Sequence, residues 1–160
     1  MMLSKNFSLD EMTRSTTASK KRIENVPNAS QIENLVELCE NVLQPLREAI
    51  GPIYISSGFR SQKLNVAIGG STTSQHCALK GAAADIDMGD KNKEIFNFIK
   101  DELIFDQLIA EGSDSDGNMN WVHVSYNKDK NRNQILIAVF KNKKAKYLPY
   151  SDTLFKEIYG

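Results

Sequence analysis

Apolar positions keep helical spacing through Ile32, Leu35, Val36, Cys39, Val42, Leu43, Leu46 and Ile50, which makes one buried face. Ser30, followed by Glu33, reads as the capping box that opens this helix, and Gly51-Pro52 closes it. Pro45 lies inside the stripe and lacks a backbone donor, so a kink is predicted there. Phe7, Ser8 and Glu11 signal a shorter helix upstream, and the Ser15-Thr16-Thr17 cluster is expected to end it. Residues 53–57 then read as a short strand, 62–68 as a small helix and 69–73 as a loop. Residues 82–88 form a predicted strand and 92–103 an amphipathic helix. Residues 105–110 and 121–126 are strand-like and flank a polar loop, 112–120. Residues 134–140 are a strongly apolar strand, and 152–159 a short terminal helix. Helices come first and strands dominate later, which favours an α+β domain over a parallel βαβ array.

Composition narrows the class. The chain has 160 residues, 41% hydrophobic and 25% charged, the make-up of one globular domain with a core that needs no disulfides. Lys+Arg and Asp+Glu stand at 20 each, so no net field recruits nucleic acid or an anionic membrane. Lys141, Lys143, Lys144 and Lys146 read as a solvated loop rather than a polyanion patch. No apolar h-region opens the chain and no stretch of about 18 apolar residues occurs, so the expectation is synthesis in the cytoplasm without a signal peptide or anchor. Cys39 falls on the helical stripe as a core residue, whereas Cys77 directly follows His76.

The candidate chemistry is concentrated in a few residues. The chain has only two histidines, His76 at the end of a polar loop and His123 inside the apolar strand Trp121-Val122-His123-Val124-Ser125. Each alone is equally an ordinary loop or half-buried strand histidine. Asp85 and Asp87 alternate with apolar neighbours and are read on one strand face, where two carboxylates repel unless a cation or water accepts them. Catalytic zinc takes three ligands from His and carboxylate and keeps a fourth position for water, a count these residues meet with nothing to spare. No H-E-x-x-H helix is present.

In order along the chain stand Ser57-Gly58-Phe59-Arg60-Ser61, Ser74-Gln75-His76, Gly81, Ala83-Ala84-Asp85-Ile86-Asp87 and Trp121-Val122-His123-Val124-Ser125. This series resembles the zinc D-alanyl-D-alanine carboxypeptidase family, which includes phage endolysins and L-alanyl-D-glutamate endopeptidases and shares its metal-site fold with the hedgehog signalling domain. The resemblance implies a small, mainly antiparallel sheet with helices packed on one side. It places one domain over residues 1–160, with a motif-bearing core at about 7–140 and a C-terminal extension, 141–160. It also implies one zinc per chain, held by His76, Asp85 and His123, with Arg60 donating to the substrate as charge develops. Arg60 can also be read as a structural ion-pair partner. Ser74 and Gln75 are read as loop-shaping, substrate-side hydrogen-bonding positions.

Two departures from the family pattern matter. Eight residues, Cys77 to Ala84, separate His76 from Asp85, about two more than usual, and an even change keeps Asp85 rather than Asp87 as the ligand. The acid that many members carry three positions before the last histidine is here Asn120, which cannot take a proton from water. Glu111 is the first candidate for that general base, followed by Asp106, Asp114 and Asp116.

The resemblance implies a monomeric peptidoglycan hydrolase, an endopeptidase or D,D-carboxypeptidase acting on stem peptides. It would reach the bacterial wall through holes made by a separate protein or as part of a virion. A D-alanyl dipeptidase and an inactive zinc-stabilised wall-binding module stand as alternatives. Cys77 as a fourth ligand would close the site, but adjacent residues seldom reach one ion together.

Overall fold

The computed structural model describes residues 1–160. Two short helices, α1 (Leu9–Thr13) and α2 (Thr16–Lys21), come first. Ser8 caps α1 by accepting from the Glu11 N–H, but Ser15 caps α2 in the same way, so the Ser15-Thr16-Thr17 cluster starts a helix rather than ending one. The long amphipathic helix starts two residues earlier than the sequence suggests. α3 (Ala29–Leu38) is opened by Asn28 and Gln31, which exchange both bonds of a capping box, so the Ser30–Glu33 assignment is corrected.

At the predicted kink the helix runs on with a change of winding: a π-helical turn, Cys39–Leu43, leads directly into α4 (Gln44–Ile50), whose second residue is Pro45. The apolar face runs through this irregularity without interruption, with Leu35, Leu38, Cys39, Val42, Leu43 and Leu46 all buried.

The rest of the chain builds a six-stranded sheet. It comprises β1 (Ile55–Ser57), β2 (Ala82–Ile86), β3 (Gln107–Glu111), β4 (Trp121–Tyr126), β5 (Gln134–Lys141) and β6 (Lys144–Pro149), with α5 (Gln62–Ala67) after β1 and α6 (Asn92–Glu102) after β2. The spatial order is β1-β2-β4-β3-β5-β6, antiparallel throughout except for the parallel pair β3 and β5. This is the expected α+β architecture. On β4, Val122 and Val124 are buried against the helical layer, where α3 and α6 contact β2, β3 and β4. Period two therefore turns Trp121, His123 and Ser125 to the other face.

The last 20 residues are built into the domain. A two-residue turn, Asn142-Lys143, has both φ angles positive (53° and 64°), as tight hairpins require, and it returns the chain as β6 along β5. The lysine cluster is thus an edge strand and its turn, not a loop. Its side chains are solvated as expected, and lysines on an exposed edge discourage pairing with another chain. α7 (Asp152–Tyr159) then stacks Phe155 on Phe96 of α6 at 5.2 Å, and the Tyr159 hydroxyl donates to the Gly112 carbonyl at 2.7 Å. No helix is long and apolar enough to cross a membrane.

Candidate metal centre

Three separate segments deliver the central residues. His76 sits in a single 3-10 turn, Gln75–Cys77, and its own N–H donates to the capping Ser74 hydroxyl. Helix α3 clamps this turn from behind, with Gln31 and Asn34 donating to the Cys77 and Ala78 carbonyls at 2.9 and 2.8 Å. From the front, the Gly58 carbonyl lies 2.7 Å from His76 Nδ1. A carbonyl only accepts, so Nδ1 carries a proton and Nε2 is the nitrogen left facing Asp85 and available to a metal. Gly58 itself presses against the Met12 carbonyl, where any added Cβ would lie 2.3 Å from the oxygen.

Sheet register supplies the other two residues. Asp85 pairs with His123, and His123 with Ile109, so both chemical side chains emerge on the face opposite the helices. The residues added after His76 are absorbed in the turn at Ala78 (φ 55°) and Gly81 (φ 73°), and β2 keeps its register. Asp87 does not share the face of Asp85. β2 ends at Ile86, and the Asp87 carboxylate instead accepts from the Gly89 N–H and the Asn92 side chain at the start of α6.

His76 Nε2 lies 3.4 Å from Asp85 Oδ2, and His123 Nδ1 lies 3.0 Å from Asp85 Oδ1. Ligands about 2.0–2.2 Å from one tetrahedral ion stand roughly 3.3–3.6 Å apart; the His76–Asp85 separation falls in that range, and two imidazoles with one carboxylate are a donor set zinc takes. The convergent group is His76, Asp85 and His123, all within 4.8 Å; Cys77 is buried beside it but is not a member. Burial works to raise the Asp85 carboxyl, but the charges and hydrogen bonds of His76 and His123 outweigh it and hold it well below the ordinary range. Arg60 approaches the same carboxylate, its guanidinium 3.6 Å from Oδ2, and its Nε donates to the Ser57 hydroxyl.

A cleft of about 990 Å³ opens over this centre. Arg60, Ser74, Gln75, His76, Asp85, Glu111 and His123 all line it, so these seven residues are brought to one surface. Ser74 and Gln75 are engaged in holding the wall: Gln75 donates to the Lys80 carbonyl and to Asp106. Glu111 is the last residue of β3, paired with Trp121 and therefore diagonal to His123 on the same face. Burial first, and then the negative charge of Asp85, push its carboxyl up to about 7, against the pull of His123, Trp121 and Arg60. The Trp121 indole N–H is close enough to favour the ionised form but has no partner at hydrogen-bond geometry.

The other candidate bases fare differently. Asp106 lines the cleft, yet it is bound by Arg132 at 2.9 Å and by Gln75, and these bonds outweigh its burial and keep it acidic. Asp114 folds back onto the N–H groups of Asp116 and Asn118 in the exposed β3–β4 loop, away from the cleft. Asn120 donates its backbone N–H to the Glu111 carbonyl, which places it directly beside that residue across the two strands. Lys80, Trp121, Lys130, Arg132 and Tyr147 also line the cleft, and sequence reasoning did not single them out for it. Trp121 stood within a quoted motif; Tyr147 depends on β6, a short and almost wholly exposed strand in a lysine-rich stretch.

A family model described as peptidase M15 matches residues 5–125. The chain belongs to the peptidase M15 family. M15 peptidases are zinc-dependent, so the family makes this a metallopeptidase and agrees with the His-Asp-His donor set. No individual curated protein is significantly similar to the chain.

Proposed function

We propose that this M15 peptidase hydrolyses a peptide bond in bacterial peptidoglycan, as an endopeptidase or D,D-carboxypeptidase of the phage-lysin type, with Glu111 as general base. The observation that carries the catalytic reading is a buried carboxyl on the cleft face, one diagonal step from His123. Zinc held by His76, Asp85 and His123 would supply Lewis acidity for the scissile carbonyl and lower the pKa of water at the site. Glu111 takes a proton from the attacking water and returns it to the leaving amine, a task its place on the cleft face beside the donor set allows. Arg60 donates to the carbonyl oxygen as negative charge develops. Gly58 and α3 fix the imidazole of His76, so the centre is preorganised before substrate arrives.

Glu111 also answers the absence of an acid at Asn120, because the carboxylate arrives from the neighbouring strand instead. That weighs against an inactive wall-binding module. The test is mass spectrometry of purified peptidoglycan incubated with the protein in zinc, in chelator, and as Glu111→Gln. Zinc-dependent fragments, lost in the variant, support the reading and their new termini name the bond. A metal-loaded protein that releases no fragments from several wall types would sink it.

A further inference from the structure

The reaction above uses the middle of the cleft and leaves its β5–β6 side without a role. Register fixes which side chains face there. Glu111 pairs with Trp121 on β4 and with Ala138 on β5, and Ala138 pairs with Tyr147 on β6. Phe140, two residues beyond Ala138, projects to the same face, with its ring 5.9 Å from that of Trp121. On the opposite face of β5, Ile137 is buried and Ile135 and Val139 pack on the core. Phe140 and Tyr147, by contrast, are 46% and 51% exposed. Two large rings left in water beside a polar cleft mark a contact surface, and Trp121 and Tyr147 join it to the cleft without a break.

The far end of the cleft has the opposite character, lined by Lys80, Lys130 and Arg132. Asn127, on that lining, lies four residues from His123 and so roughly 13 Å along the strand direction.

We propose that Trp121, Phe140 and Tyr147 form a subsite for a sugar ring, the N-acetylated hexose to which the stem peptide is attached; this rests on the peptidoglycan reading above. A pyranose presents a face of C–H groups carrying partial positive charge, which packs on the negative face of an aromatic ring. The stem peptide is joined to its sugar at one end and bears carboxylates further along. With the sugar on the rings and the carboxylates toward Lys80 and Lys130, the stem crosses the metal centre in one direction. Trp121 is two residues from His123, about 7 Å, the span of about two extended residues. The bond brought to the centre is therefore within about two residues of the sugar.

Trp121 is the single tryptophan of the chain, so its fluorescence reads the subsite directly. The full-length protein is titrated with the peptide-free disaccharide of N-acetylglucosamine and N-acetylmuramic acid. The expected result is a saturable change whose midpoint rises roughly fivefold or more in Phe140→Ser and recovers in Phe140→Tyr. In parallel, kcat/KM is compared for one stem peptide with and without its disaccharide. The sugar-bearing form is expected to be favoured roughly tenfold, and the ratio to fall toward one in Phe140→Ser. A partly misfolded variant lowers both rates together and leaves the ratio alone. Absence of saturable sugar binding, a midpoint unmoved by Phe140→Ser, or equal cleavage of the two substrates overturns the subsite. A dimer that Phe140→Ser dissolves, with no sugar binding, overturns it too and gives the rings to a second copy. Sugar binding as expected with neither substrate cut upholds the subsite and defeats the catalytic reading instead.

Discussion

Glu111→Gln separates what the site costs the fold from what it gives the reaction. Glu111 is 8% exposed, and burial with the Asp85 charge raises its carboxyl from 4.5 to about 7. In the unfolded chain the group stays near the lower value. Between the two, the native state keeps a proton that the unfolded state has released, so stability falls as pH rises from about 4.5 to about 7 and stays lowered above that. Each tenfold in proton affinity is worth about 1.4 kcal/mol, which puts the full cost at about 3 kcal/mol. Glutamine remains neutral through this window but brings an amide with its own desolvation cost. The metal-free variant is therefore expected to exceed the parent by about 1–3 kcal/mol at pH 8.5, with the gain vanishing near pH 4.5. Urea denaturation of chelator-treated proteins across that range measures it. A gain that is absent at pH 8.5, or that is the same at every pH, refutes the argument. Restoring zinc draws the carboxyl down and shrinks the gain, while hydrolysis by the variant is expected to fall by about 10²–10⁴.

Three further outcomes are expected. His123→Ala loses bound zinc by elemental analysis of the purified protein, whereas Asp87→Asn keeps about one ion per chain, because Asp87 is engaged at the start of α6 rather than in the donor set. Phe155→Ala, which removes the ring stacked on Phe96, is expected to cost about 3 kcal/mol in chemical denaturation; a cost below about 1 kcal/mol would mean the terminal helix is dispensable to the core. Gly81→Ala places a Cβ 2.3 Å from the Tyr126 carbonyl at a φ of 73°, so the melting temperature falls by several degrees and zinc affinity falls with it; an unchanged melting temperature contradicts the strain.

Features controlled by local chemistry could be read along the chain. The stripe from Ile32 to Ile50 had to be a helix with one buried face, and the valines around His123 had to turn that histidine away from the core. With only two histidines in the chain, the donor types were almost forced. Local signals also misled where several candidates competed within a few residues, as with Ser30 against Asn28, or Ser15 read as a stop. Tertiary structure alone decided the rest. Asp85 was already the preferred ligand on the motif spacing; what the sequence misplaced was Asp87, which leaves the face of Asp85 because β2 ends at Ile86. Glu111 became the poised carboxyl, and Asp106 the ion-paired one, because their environments come from strands and loops distant in sequence. β6 is short and almost wholly exposed, and it forms because its backbone pairs with β5 after a turn that holds Asn142 and Lys143 in left-handed conformations. Periodicity fixes which face of an element is apolar, but partners, register and the field at a buried acid arise only when separate segments meet.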